Sequence, residues 1–148
     1  MISDTHGLLR AEALDALRGA EAIVHAGDVG DPAILDALRE IAPVTAVRGN
    51  VDRGALARDL PAEAILEAAG VSIYVLHDAA AIDLDPRAAR LGVVVSGHTH
   101  APLILEKDGI LWLNPGSAGP RRFHLPVSVA ELIAGEGPPR ARIITLAV

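Results

Sequence analysis

Two pairs of polar residues at opposite ends of the chain have the types and spacing of metal ligands. Asp4 and His6 are separated by one residue, and so are His98 and His100. In an extended backbone, residues i and i+2 project to the same side, so each pair would present two ligand atoms to one point. Imidazole is a softer ligand than oxygen, so this mixture suits Mn, Fe, Zn, Co or Ni better than Ca or Mg. Two such pairs are more than one metal ion needs.

Three further polar residues, Asp28, Asn50 and His77, each come within a few positions of the end of a predicted strand. In open α/β sheets, ligands bind beyond the carboxyl ends of the strands, so these loops and the two pairs can meet in one crevice. Any single residue of this kind is just as well explained as a turn residue, a helix cap or a satisfied polar group. Seven of them at five successive strand ends favour a shared site.

The elements that position these residues are predicted from apolar spacing and from Gly and Pro. Amphipathic or capped helices are predicted at residues 8–18, at 31–42 and, in a shorter form, at 85–91. The stretch 62–69 has the propensity of a helix but could equally form one strand of a hairpin. Strands are predicted at 22–26, 44–48, 71–76, 93–95, 103–106, 110–113, 127–133 and 141–148.

Composition limits the classes of protein. A chain of 148 residues with 51% hydrophobic residues predicts one globular domain over 1–148. It has no cysteine, which excludes a thiolate nucleophile and a Cys-type zinc site. The net charge of -6 and scattered basic residues argue against polymeric nucleic acid as a stable partner. We expect no membrane partner and, because no signal peptide is recognised, a cytoplasmic location.

The ordered motif blocks resemble those of the calcineurin-like metallophosphoesterase superfamily, in particular its small bacterial and archaeal phosphodiesterase branch. The blocks are Ser3-Asp4-Thr5-His6-Gly7, Gly27-Asp28, Gly49-Asn50-Val51-Asp52, His77 and Gly97-His98-Thr99-His100, and Asn114-Pro115-Gly116-Ser117 also fits. The resemblance implies an α/β fold, a four-layer sandwich of two mixed β-sheets flanked by helices. It also implies two divalent metal ions at one edge, with Mn first and Fe, Zn, Ni, Co or Mg as alternatives.

The same resemblance implies a ligand set. One ion would be held by Asp4, His6, Asp28 and His100, and the other by Asp28, Asn50, His77 and His98. Asp28 would bridge the ions, and Asp28, Asn50 and His98 would serve catalysis. Two ions roughly 3.5 to 4 Å apart can activate a shared hydroxide and stabilise both the attacking and the leaving oxygen.

The expected function is therefore a dinuclear metal-dependent phosphoesterase, and a phosphodiesterase acting on a small phosphate ester before a phosphomonoesterase. The alternative is a non-catalytic interaction scaffold, because the fold also resembles a eukaryotic retromer subunit whose ligand set is degraded. The intact ligand set here favours an enzyme. A homo-oligomer is compatible with the sequence.

Several positions depart from the family or carry weaker predictions. Many relatives have a histidine, proposed to protonate the leaving oxygen, where this chain has Val51, so substrates with acidic leaving groups should react best. Asp78 is predicted to cap a loop rather than to orient His77, and His25 is predicted to be structural. Either Arg121 or Arg122 could bind a substrate phosphate, although a solvated loop explains them equally well.

The first strand is also shorter than in relatives, because only Met1 and Ile2 precede Ser3. We expect this to weaken the packing beneath Asp4 and His6. A native start upstream of Met1 is the hypothesis that this shortness suggests.

Overall fold

The computed structural model describes residues 1–148 and has a mixed α/β fold. In chain order the elements are α1 Ala11–Leu17, β1 Ile23–His25, α2 Pro32–Arg39, β2 Val44–Ala46, α3 Ala55–Asp59, β3 Glu63–Ala68, β4 Val71–Leu76, β5 Val93–Val95, β6 Leu103–Lys107, β7 Ile110–Asn114, β8 Ser128–Ile133 and β9 Arg140–Thr145. A 3-10 turn spans Ala79–Ala81. None of the helices is both long and apolar enough to cross a membrane.

The main sheet has five strands in the order β3-β4-β5-β7-β6. Its central strand β5 runs parallel to β4 and β7, while the outer strands β3 and β6 are antiparallel to their neighbours. Strand β5 is the run Val93–Val95, and all three residues are buried, as expected for a strand covered on both faces. Strands β4 and β5 therefore end at the same edge, where the loops at His77 and at 96–100 begin.

The second sheet of the expected sandwich consists of two short ladders. Strands β1 and β2 are parallel, and β8 and β9 are antiparallel. The first residues of the chain join these ladders, since Ile2 exchanges hydrogen bonds with Val24 and Ala26, and Ala130 N donates to Met1 O at 2.9 Å. Asp4 and His6 follow directly from this junction.

Three apolar clusters separate the layers. One lies between the main sheet and the two ladders and includes Val24, Val75 and Val95. A second packs α1 and α2 against the ladders, and a third covers the other face of the main sheet around Tyr74. The layered α/β arrangement predicted from the resemblance is therefore present.

Two local expectations are decided by the structure. Residues 63–68 form strand β3, in a hairpin whose register pairs Glu63 with Leu76, because pairing to β4 overrides helix propensity. The helix predicted at 85–91 is wrong. The chain forms hydrogen-bonded turns there, with Ala89 N donating to Asp85 O and Leu91 N to Pro86 O, both at 2.9 Å.

The start of the chain borders an apolar cavity. The amino group of Met1 is buried and donates to Ala130 O at 2.8 Å. Burial disfavours its charged form and lowers its pKa to about 5. Beside it lies a cavity of about 610 Å³, lined mainly by apolar side chains such as Leu17 and Leu132 and by none of the candidate ligands.

Candidate metal centre

The candidate ligands lie in loops that leave the sheets at one edge, and most of these loops have an unusual backbone. Five of the nine non-glycine residues with positive φ are candidate ligands: Asp4 (54°), His6 (47°), Asp28 (55°), His98 (68°) and His100 (60°). Left-handed backbone is uncommon for residues with a Cβ, and such strain clusters at functional sites. The backbone is thus bent at the positions that the sequence selects.

The first half of the centre consists of Asp4, His6 and His100. His100 Nε2 lies 3.3 Å from Asp4 Oδ1, and His6 Nε2 lies 3.2 Å from His100 Nε2 and 3.8 Å from Asp4 Oδ1. Asp4 and His100 are buried, and Asp4 Oδ1 has no hydrogen-bond partner. A buried acceptor without a hydrogen bond costs free energy. A cation bound between Asp4 Oδ1 and the two imidazole nitrogens would remove this cost.

The second half is built around His77. Its Nδ1 lies 2.8 Å from Ala26 O, so this nitrogen donates its hydrogen and directs the Nε2 lone pair inward. There Nε2 lies 3.1 Å from Asn50 Oδ1 and 3.3 Å from Asp28 Oδ2. Three acceptor atoms face one another, an arrangement that either a proton or a cation can stabilise.

Asp28 lies between the two halves. Its Oδ2 is 3.6 Å from His6 Nε2 and 3.3 Å from His77 Nε2, so one oxygen faces the ligand atoms of both halves. Ligand atoms of Asp4, Asp28 and His77 also lie within 4.8 Å of one another. Two buried carboxylates this close repel each other unless positive charge lies between them.

The pKa values reflect this crowding. Burial opposes ionisation of Asp28, but a hydrogen bond from His77, which forms when that ring is protonated, and one from Val51 N outweigh burial and lower its pKa. Burial likewise disfavours the charged form of His77, but its hydrogen bonds with Asp28 and Ala26 raise its pKa. Burial lowers the pKa of His100. The donor set of carboxylates, imidazoles and an amide therefore fits divalent metal ions.

The spacing of His98 and His100 predicts that their side chains point the same way, and this prediction is wrong. Strand β5 ends at Val95, and Thr99 N donates to Gly97 O at 2.8 Å, which closes a three-residue turn around His98. The two imidazoles therefore separate. The His98 side chain is 43% exposed, and its Nε2 lies 3.9 Å from Asp78 Oδ2. Its ring still meets the ring of His77 edge-on, with centroids 5.2 Å apart.

Two glycines allow the loops to touch. A Cβ on Gly97 would overlap Ser3 Oγ and lie 2.6 Å from Asp4 Oδ2, and a Cβ on Gly49 would overlap the side chain and backbone of Asp28. Any larger residue at either position would push the ligand loops apart.

Hydrogen bonds of His25 support the loop that carries Asp4 and His6. His25 is fully buried, its Nδ1 accepts from Gly27 N at 3.2 Å, and its Nε2 lies 2.9 Å from Thr5 Oγ1. Burial lowers the pKa of His25 to about 3, so it is neutral and structural, as the sequence suggests. Asp78 caps the 3-10 turn through Ala80 N at 2.9 Å, which is also the favoured prediction.

Two supporting residues were not predicted from the sequence as part of the centre. Asp52 is 2% exposed and accepts three backbone hydrogen bonds within the centre. Asn114 Nδ2 donates to Gly97 O at 2.8 Å and to Thr99 Oγ1 at 3.1 Å, which fixes the turn around His98. Both lie in motif blocks, but the sequence does not show their hydrogen-bond partners, most of which belong to other loops.

The arginines differ in their contacts. Arg121 Nη2 donates to Val148 O at 3.0 Å, so its side chain is engaged with the carboxyl end of the chain. Arg122 is exposed, and its charge acts with burial to lower the pKa of His100. Val51 is 40% exposed and provides no proton donor.

Comparisons with known proteins show the family of the chain. Residues 1–135 match the calcineurin-like phosphoesterase superfamily domain. A probable metallophosphoesterase of Methanocaldococcus jannaschii is 39% identical over a match that covers 79% of this chain and 66% of that protein, just under two thirds of its length. The chain belongs to the calcineurin-like phosphoesterase superfamily, a family of metal-dependent phosphoester hydrolases.

Solved structures share the fold at lower sequence identity. An archaeal phosphodiesterase superposes with a TM-score of 0.79 and 20% identity, covering 97% of each chain. Wild-type Vps29 of Entamoeba histolytica, solved in complex with Zn²⁺, superposes with a TM-score of 0.76 and 20% identity, covering 97% of this chain and 96% of that one. At these identities the likeness concerns the fold.

Proposed function

We propose that the protein hydrolyses a small phosphodiester with two divalent metal ions, Mn²⁺ first among them. The observation that carries the proposal is the position of Asp28, whose carboxylate lies between His6 and His77 and thus between two groups of ligand atoms. Asp4, His6, Asp28 and His100 would hold one ion, and Asp28, Asn50, His77 and His98 the other. Bound divalent ions supply Lewis acidity for a phosphoryl oxygen and lower the pKa of a water molecule.

The protein's own groups position the reaction. The Ala26 carbonyl holds Nδ1 of His77 and so keeps Nε2 directed at Asp28 and Asn50. Asn50 is exposed, and its neutral amide can donate to a phosphate oxygen while its Oδ1 serves as a ligand. The exposed Arg122 adds positive charge near His100, which attracts an anionic ester.

The leaving oxygen receives no proton from position 51, because Val51 is aliphatic. We therefore expect the rate to depend steeply on the acidity of the leaving alcohol. Matched aryl monoesters and diesters with graded leaving-group pKa, assayed with Mn²⁺ and after chelation, test the proposal. It predicts metal-dependent turnover that is faster for the diesters. Equal activity after complete metal removal would contradict it, and faster monoester turnover would correct the substrate class.

A non-catalytic interaction role is the second candidate, and an exposed apolar strand favours it. Leu103, Ile104 and Leu105 on the edge strand β6 are 48%, 41% and 45% exposed. Apolar surface of this kind is typical of interaction sites. Absence of hydrolysis with every divalent metal, together with a stable complex that Leu105→Lys abolishes, would favour this role over the enzymatic one.

A further inference from the structure

Two loops of the candidate metal centre, residues 28–30 and 49–52, are joined by the buried carboxylate of Asp52. Its Oδ1 accepts a hydrogen bond from Gly30 N at 2.9 Å, and its Oδ2 accepts from Val29 N at 3.3 Å. The same Oδ2 accepts from Gly49 N at 2.8 Å within its own loop. One carboxylate thus binds both loops.

The connection is reciprocal. Asp28 Oδ1 accepts from Val51 N at 3.0 Å, so each loop receives a hydrogen bond on its aspartate from the backbone of the other. The absence of a side chain at Gly49 lets the loops approach this closely, because a Cβ there would overlap Asp28. Asp28 has only its Oδ2 left to face the histidines.

We infer that Asp52 is a positioning residue that sets the distance between Asp28 and Asn50, two ligands of the second metal ion. This inference rests on the metal binding in the proposed function. Asp52 itself directs both oxygens at backbone N–H groups and contributes none to the ligand clusters. Its effect on a metal ion is therefore exerted through Asp28 and Asn50. Partners one step removed from a metal typically change its affinity 10- to 100-fold.

The test is the substitution Asp52→Asn, which keeps the shape but places an NH₂ group against backbone N–H donors. Metal-free protein is titrated with Mn²⁺ by calorimetry, and wild type is expected to show two binding events. The variant should weaken one event by at least about tenfold and leave the other nearly unchanged. Asp59→Asn is the matched control, because the Asp59 side chain is 61% exposed and pairs only with the adjacent Arg58.

A purely structural role predicts a different result. Asp52→Asn would then lower the melting temperature while the folded protein bound both ions as wild type does, and that outcome would overturn the inference. A wild-type protein that binds no second ion would overturn it as well. Two intact metal-binding events without turnover of any phosphate ester would refute the proposed function and leave the role of Asp52 standing.

Hydrogen exchange of the wild-type protein provides a second measurement if the variant does not fold. The amides of Val29, Gly30 and Gly49 should be protected before metal is added, because Asp52 already binds them. Exchange of all three at unprotected rates in metal-free protein would show that the hydrogen bonds of Asp52 do not preorganise the loops.

Discussion

The two halves of the candidate metal centre differ in how closely their side chains converge. In the first half, Asp4 and His100 are buried, and their ligand atoms lie 3.3 Å apart. In the second half, His77 and Asn50 already contact each other, while His98 is 43% exposed and lies near Asp78. Binding costs less when ligands are already in place. The first half should therefore bind a metal ion more tightly than the second, whose completion requires His98 to turn inward.

Removing the charge of the shared ligand should weaken metal binding in both halves. Asp28→Asn keeps the side-chain shape but removes the charge that both halves use, so both binding events should weaken. Turnover should fall about a thousandfold or more, since several kcal/mol of electrostatic stabilisation are lost and each 1.36 kcal/mol is a factor of ten. Asp36→Asn is the control, because Asp36 lies on the surface and its side chain pairs only with Arg39. Near-normal turnover of Asp28→Asn would refute a bridging role.

Removing one histidine from each half should separate the two events. His100→Ala should weaken the tighter event and His98→Ala the weaker one. Each should weaken by at least tenfold, because even residues that only contact a metal ligand change metal affinity 10- to 100-fold. Calorimetric titration with Mn²⁺ measures both. If His98→Ala weakened only the tighter event, the assignment of the two halves would be reversed.

The support beneath the first half can be tested through pH. The pKa of His25 is lowered to about 3, so below its ordinary value of 6.5 the unfolded chain binds a proton that the folded chain does not. Its contribution to stability is therefore complete above pH 6.5 and declines as pH falls toward 3. The raised pKa of His77 acts in the opposite direction, stabilising the fold below pH 6.5 and losing this effect as pH rises through the raised value.

The substitution His25→Asn separates these contributions, because it keeps an acceptor for Gly27 N and removes the titrating ring. Between pH 7 and 4.5, metal-free wild type should lose about 2 to 3 kcal/mol of unfolding free energy more than the variant does. Urea unfolding at several pH values measures this difference. Parallel pH profiles would mean that His25 has the same pKa in the folded and the unfolded protein.

The smallest expected effect concerns the arginines outside both halves. Arg122→Ala should raise KM about fivefold with kcat little changed, since one exposed charge-assisted contact contributes about 1 kcal/mol. Arg121→Ala should change KM less, because its side chain is held by Val148 O. The opposite ranking would place Arg121, rather than Arg122, at the substrate.

The directions of the side chains in the candidate centre were harder to predict from the sequence than the positions of the strand ends. The buried run Val93–Val95 and the polar residues after each strand were readable, because burial and strand ends have local signatures. The left-handed turn that separates His98 from His100 was not, since it depends on Asn114 and on Asp4 Oδ2, which accepts from His98 N at 3.1 Å. Strand β3 was also left open by the sequence, because its pairing with the neighbouring strand β4 overrides local helix propensity.

A crystal structure of the protein with Mn²⁺, with the ions located from their anomalous scattering, would test directly whether Asp28 lies between two metal ions. We expect two peaks about 3.5 to 4 Å apart on either side of the Asp28 carboxylate, with His98 turned toward the second. At limiting Mn²⁺, the peak beside Asp4 and His100 should be the stronger. A single peak at saturating Mn²⁺, or none within bonding distance of Asp28, would contradict this expectation.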